Sequence, residues 1–450
     1  MGEEKAVTSA CSPEPIVGGE QGDAQYPTEQ NATKAREYGL QWMVTTDHGG
    51  PNHSRLNLMQ AYPALQASRT KVPEVLQFYG MEFNGPAMDH HLLMLPNTPD
   101  EWKVLFNIES QFDKAEPWPS DVTRDTEANF TKALLYMNSL KRLPVMMAHH
   151  PSRSATDMGV WGLDEPREFR DNNDNAPRIY VGFEGAPGHQ AAALKPDGTL
   201  KKAEEQTAGR GAYSNAKAGT LGGFDQMTAV VGGLWDSLLS EGRRFWVIAT
   251  SDSHLNWRDS LRGNNGIDFW PGEYSKTYIK ATKSYDDLLE GMRTGRIFVT
   301  HGDLINELDV TASAAGSSAE LGGTLAFSGT QDVTVTIRFR DPNTNNARGQ
   351  NPSVKRVDLI VGEVKGLVSN RNAGKTETTK VVKRFAESEF KRDGEVVTLT
   401  YTLSGVKANS YLRVRGTNTA EEEPTMDPKG EDPWADLWFY SNPVFVEVNR

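Results

Sequence analysis

With 450 residues, the chain is long enough for two domains and a large core. Its formal net charge of −12 weighs against sequence-independent binding to nucleic acid or anionic lipid, and no apolar stretch reaches the roughly 18 residues of a membrane-spanning helix. The lone cysteine, Cys11, excludes an internal disulfide and a cysteine-rich zinc site.

Taken in order, residues 1–26 are polar and rich in Gly, Pro and Glu and read as an extended arm without the basic and apolar regions of a signal peptide. Neither periplasm nor cytoplasm is favoured. "PTEQNATKAREYG" (27–39) predicts a helix, followed by a strand in "LQWMVTTDHGG" (40–50). A second strand lies in "VLQFYGMEFN" (75–84). A helix over 123–143 carries Phe130, Ala133, Leu134, Met137 and Leu140 at helical spacing. Strands follow in "LPVMMAHHPS" (143–152) and "RIYVGFEGAPGHQ" (178–190), then a helix over 224–242 packed by Trp235 and Leu238. "RFWVIATSDSHLN" (244–256) is the next strand, and 284–295 a helix with Ser284 as cap and Gly295 as stop. "RTGRIFVTHGDLI" (293–305) reads as a last helix-to-strand passage, with His301 structural at a domain junction. Such alternation over 27–302 predicts βα units and a parallel sheet or barrel.

Beyond residue 302, alternating and β-branched runs such as "GTLAFSGTQDVTVTIRFRDP" and "EVVTLTYTLSGV" are separated by turns. They predict an antiparallel all-β sandwich over 303–450. Trp434, Trp438, Phe439 and Tyr440 read as core of that sandwich, or else as a carbohydrate-binding face.

The five strands of the first domain each stop at a cluster of His, Asp or Glu. Of the nine histidines, seven (48, 90, 91, 149, 150, 189 and 254) fall in or just after these segments. Ligand-bearing side chains beyond strand after strand are what a metal site at a barrel mouth needs. Asp252 and His254, two apart on extended backbone, reach one site. His48 follows a strand and precedes Gly-Gly, with Asp47 as ligand or orienting neighbour. Glu82 is placed to bridge two ions. Of the adjacent pairs His90/His91 and His149/His150, alternation on a strand lets one member of each face the metal. Imidazoles and carboxylates without thiolates suit two or three Zn, Mn or Fe ions. Arg153 and Arg210 are candidate contacts to a small anionic substrate. His189 is a candidate proton donor, with Glu184 its orienter or a substrate contact.

In order, "TTDHGG", "GMEFN…DHHLLML", "AHHPSR" and "TSDSHLN" resemble successive motifs of the PHP (polymerase and histidinol phosphatase) family over about residues 27–302. The resemblance implies a distorted (β/α)7 TIM-like barrel with up to three divalent ions at the C-terminal strand ends. Carried over motif by motif, it implies His48, Glu82, His90 (His91 second), His150, Asp252 and His254 as metal ligands. One departure is plain: the family opens with a His-x-His motif, and no histidine precedes His48. Truncation or loss of that half-site is preferred over its replacement by Glu14, Glu20, Asp23 or His53.

The function implied is a phosphoesterase in which a hydroxide shared by ions bridged at Glu82 attacks a phosphate mono- or diester. Two alternatives stand beside it. One is a barrel with an incomplete metal site that binds without turnover; the other is a metallohydrolase acting on a non-phosphate ester or amide.

Overall fold

A computed structural model describes residues 26–259 and 266–449. The predicted arm, save Tyr26, lies outside these residues, as do Glu14, Glu20 and Asp23. The first body is built on a six-stranded sheet in sequential order: β1 (Trp42–His48), β2 (Leu76–Asn84), β3 (His90–Met94), β4 (Val145–Ala148), β5 (Tyr180–Ala186) and β6 (Trp246–Ala249). Parallel pairing joins β1 to β2, β4 to β5 and β5 to β6, while β3 runs antiparallel to both β2 and β4. The connection from β2 to β3 spans only residues 85–89, enough for a reversal and too short for a parallel crossover. β4 and β5 are buried along their whole length, as strands covered on both faces are.

Around this sheet lie α1 (Thr28–Glu37), α2 (His53–Leu56), α3 (Tyr62–Lys71), α4 (Glu101–Phe112), α5 (Glu127–Asn138), α6 (Pro166–Asn175), α7 (Gln226–Ala229), α8 (Leu234–Ser240) and α9 (Tyr285–Thr294). α5 buries Phe130, Ala133, Leu134 and Met137, the stripe read from the sequence. The helix predicted over 224–242 breaks into α7 and α8, because Gly232 turns the backbone with φ 76°. α9 starts where the Ser284 hydroxyl accepts from Asp287 N–H and stops at Gly295, φ 72°.

Two further strands, β7 (Ser275–Ile279) and β8 (Ile297–His301), precede the C-terminal body. Its strands are β9 (Glu307–Ala314), β10 (Ser317–Ala319), β11 (Thr324–Ser328), β12 (Gln331–Arg340), β13 (Arg356–Glu363), β14 (Lys380–Ala386), β15 (Lys391–Asp393), β16 (Val396–Val406), β17 (Ser410–Thr417), β18 (Trp438–Ser441) and β19 (Val444–Asn449). One sheet has the order β10-β9-β12-β16-β15; the other runs β11-β19-β17-β18-β8-β7, with β13 and β14 branching from β17. On β12, Val333, Val335, Ile337 and Phe339 alternate inward, as a two-residue period requires. The body is not purely antiparallel, since β11 and β19 pair parallel. Trp434, Trp438, Phe439 and Tyr440 are all buried, which makes them core and excludes them as an exposed carbohydrate face.

The closed (β/α)7 barrel does not form: the six-stranded sheet curls into an open half-barrel. β8, which the sequence places at the end of the barrel, pairs antiparallel with β7, a strand not read from the sequence, and with β18, so both belong to the C-terminal sheet. β6 reaches β7 through a side chain instead, with Thr277 Oγ1 bonded to both N–H and C=O of Ala249. Among the described residues β1 has a ladder to β2 alone, and every residue of β1 is half-buried. Between β1 and β6–β7 opens a cavity of about 210 Å³, walled by Trp42, Val44, Ile248, Thr277 and Met292 and reaching the strand ends.

Buried ion pairs lock the two bodies together. Arg413 on β17 donates to both carboxylate oxygens of Asp236 on α8, at 2.9 and 2.7 Å, and neither side chain reaches solvent. Nearer the surface, the partly exposed Arg371 bridges Asp171 and Asp174 of α6.

Candidate metal centre

Register brings the first group of ligands together. Parallel pairing sets His48 opposite Glu82, and antiparallel pairing sets His90 opposite Asn84, on the same face as Glu82. His90 therefore faces the site, whereas His91 points into the core, where its ring nitrogens meet the Asp89 carbonyl and the Tyr180 hydroxyl. Around Glu82 Oε1 lie His90 Nδ1 at 3.0 Å, His150 Nε2 at 3.3 Å and His149 Nδ1 at 3.4 Å. His48 Nε2 is 3.1 Å from His90 Nε2. Both members of the pair at 149–150 thus reach Glu82, where alternation predicts one.

The ends of β5 and β6 supply a second group. His189 Nε2 is 2.8 Å from Asp252 Oδ2, and His254 Nδ1 is 3.3 Å from Asp252 Oδ1. His189 Nδ1 is hydrogen-bonded to the buried Asp268 carboxylate, which also accepts from the N–H groups of His254 and Leu255, at 2.7 Å each. Non-glycine residues seldom adopt positive φ, yet His150 (28°), His189 (55°) and Asp252 (46°) all do, a concentration of backbone strain at one site. Gly188 lets the two loops meet, since a Cβ there would sit 2.1 Å from that of Asp252.

Between the groups, Glu184 accepts from His150 N–H at 2.6 Å and from the Thr250 hydroxyl, tying the end of β4 to that of β6. Its orienting role is therefore toward His150; Asp252 and Asp268 orient His189. His149, Glu184, Asp252 and His254 all line the same cavity. Arg153 lies beside Asp252, with Nε 3.2 Å from the Gly211 carbonyl and Nη2 3.5 Å from the Asp252 carboxylate.

Arg210 is placed elsewhere. Rather than riding on an open loop it is buried, donating to Asp436, Gln190 and Tyr274 at the junction with the C-terminal body. The structure thus removes it from the substrate contacts. His301 is also at that junction, stacked on Tyr274. His53, a replacement candidate, is buried with Nδ1 2.5 Å from Glu109 Oε1 and acts electrostatically on the neighbouring Asp47 and His48.

Burial would lift the Glu82 carboxyl, but hydrogen bonds from His149, His150 and His90 hold it well below the usual range. In return, Glu82 outweighs the burial of His149 and pushes it up to about 9. Burial also works against charge on His189, yet Asp252 and Asp268 raise it to about 10. His48 is depressed by burial, and so is His150. Carboxylates and imidazoles are concentrated here, and His150 Nδ1 is buried without a hydrogen-bond partner. That orphaned nitrogen and the all-N/O donor set fit divalent cations. Of four groups among the described residues whose ligand atoms lie within 4.8 Å of one another, three are at the strand ends, His48–Glu82–His90, Asp89–His90–His150 and His189–Asp252–His254, and the fourth, Asp427–Glu431–Asp436, lies beside Arg210. Sequence reasoning did not single out Asp89, although it adjoins His90, or Asp268, which follows no strand signal.

No family model matches the chain, and neither does any curated protein. A chitin binding domain from Burkholderia pseudomallei is similar in structure over 28% of this chain and 57% of its own, at 7% identity. Its TM-score of 0.16 carries neither fold nor function across.

Proposed function

We propose that the chain is a metal-dependent hydrolase of phosphate mono- or diesters, with two or three Zn, Mn or Fe ions held by His48, Glu82, His90, His150, Asp252 and His254. The strongest support is the convergence of three imidazoles within 3.4 Å of one buried carboxylate oxygen, beside the orphaned His150 Nδ1. When bound, the ions supply Lewis acidity toward a phosphoryl oxygen. Arg153, next to Asp252, binds the anionic group of the substrate and orients it toward the cavity. His149, on the cavity wall with Nδ1 turned to Glu82, exchanges a proton with the leaving oxygen at its other ring nitrogen, Nε2. Glu184 fixes the His150 backbone, so that the ring stays aimed at Glu82.

The test is hydrolysis of p-nitrophenyl phosphate and its diester by chelator-stripped protein, before and after Mn or Zn is added back. Turnover is expected only with metal, and Glu82→Gln or His254→Ala should lower it more than about 100-fold, beyond the usual effect of losing a ligand-orienting partner. Full activity in the stripped protein overturns the proposal.

A further inference from the structure

We infer that His189 is a metal ligand, completing a three-residue cation site with Asp252 and His254, and that Asp268 is the residue that positions it. The inference rests on the reading above that the strand ends bind divalent ions, and it replaces the proton-donor role that the sequence suggests for His189.

The geometry that carries it begins with the two ring nitrogens. Nδ1 is engaged by Asp268 and Nε2 faces Asp252 Oδ2 at 2.8 Å, so the ring has to give up only the proton between Nε2 and Asp252 to offer a lone pair to a cation held there. A carboxylate on one imidazole nitrogen with a cation on the other is the common arrangement of metal-bound histidine. Asp252 turns its second oxygen to His254, 3.3 Å away. Ligand atoms sharing one ion at about 2.0–2.2 Å lie roughly 3 Å apart, so these separations need only small side-chain rotations to close on a common centre. Among the described residues, these are the three His, Asp or Glu side chains of the group whose ligand atoms fall within 4.8 Å of one another.

Two features hold the ligands in that arrangement. Asp268 is 1% exposed and spends its oxygens on three donors, the His189 ring and the backbones of His254 and Leu255. One carboxylate thereby fixes both ligand-bearing loops to each other. The left-handed backbone at His189 and Asp252, with Gly188 admitting the close approach, keeps both side chains turned into the same space.

The experiment counts metal rather than turnover. Stripped protein is reloaded with zinc, the bound zinc per chain is measured by elemental analysis, and cobalt-substituted samples are compared by visible absorption. Wild type should hold at least two ions. His189→Ala should hold one fewer and lose one cobalt component, whereas Glu82→Gln should lose a different one. Asp268→Asn should reach the wild-type count at saturating zinc, but with roughly 10- to 100-fold weaker affinity for one ion. Should His189→Ala melt before loading, His189→Gln and Asp268→Asn decide the matter. Wild-type count and affinity in the His189 variants overturn the inference and leave the hydrolase reading standing; a wild type that binds no zinc overturns both.

Discussion

The strand-end site and the domain junction are both buried and rich in charge, yet they are assembled on opposite principles. At the junction, Arg413 lies against Asp236 and Arg210 against Asp436, and just behind it within the C-terminal sheet Arg415 lies against Asp358, so each guanidinium meets a carboxylate of this chain. At the strand ends, imidazoles face the carboxylates instead, and Arg153 at the margin is the nearby guanidinium. A guanidinium keeps its charge at any working pH, whereas an imidazole can give up its proton, so the strand-end carboxylates sit beside side chains that can turn into lone-pair donors. The contrast also explains why Arg210 and Arg153, similar in sequence context, have separate fates.

The largest effect should come from breaking the junction. Asp236→Ala strands the Arg413 guanidinium in a site closed to water and should cost about 3–5 kcal/mol in urea unfolding, while zinc per folded chain stays unchanged. Asp236→Leu combined with Arg413→Met should recover most of the loss, because the uncompensated charge is then gone. A single-variant cost below about 1 kcal/mol would break the distinction between the two regions.

Behind β2, a cluster of buried carboxylates gives a smaller effect that depends on pH. Burial, aided by the nearby Glu109, pushes both Asp113 and Glu116 up to about 7. A carboxyl raised on folding holds its proton more tightly in the folded state, so its contribution is fully present below the ordinary carboxylate range. It is lost as pH climbs through 7. Unfolding free energy should fall by roughly 2–3 kcal/mol between pH 6 and 8, about one pKa unit for each of the two groups at about 1.4 kcal/mol per unit. Glu116→Gln should flatten part of that slope; an unchanged slope in the variant would show that other groups set it.

Much of the first body was legible in the sequence because its strands are buried on both faces and end abruptly in ligand-bearing residues, as in β4 and β5. The cap and stop of α9 were legible for a similarly local reason, one serine and one glycine. What failed to show was pairing. Nothing within 275–301 reveals that β7 and β8 join the C-terminal sheet, since their partner β18 lies well over a hundred residues on, and the closed barrel fails on that point. The fate of Arg210 depends on Asp436, 226 residues away, and a glycine-rich stretch read by itself suggests an open loop. The choice of His90 over His91 needed the antiparallel register of β3, which a short turn after β2 imposes. Asp268 left no local signal, because its role is to join two loops rather than to end a strand.

The smallest effect tests which region Arg153 belongs to. Its side chain is 24% exposed, against 0% for Arg413, and its contact to Asp252 is long at 3.5 Å. An arginine held so loosely adds little to stability but keeps donors for an incoming anion. Arg153→Ala should therefore shift unfolding free energy by no more than about 0.5 kcal/mol. The same variant should raise KM for a phosphate ester about 10-fold, the worth of one charge-assisted hydrogen bond of about 1.5 kcal/mol. Arg153→Lys should restore part of that loss, because it returns the charge without the fork of donors. If KM holds while stability falls by several kcal/mol, Arg153 belongs with the junction arginines, and the anion-binding margin of the site must be sought in other side chains.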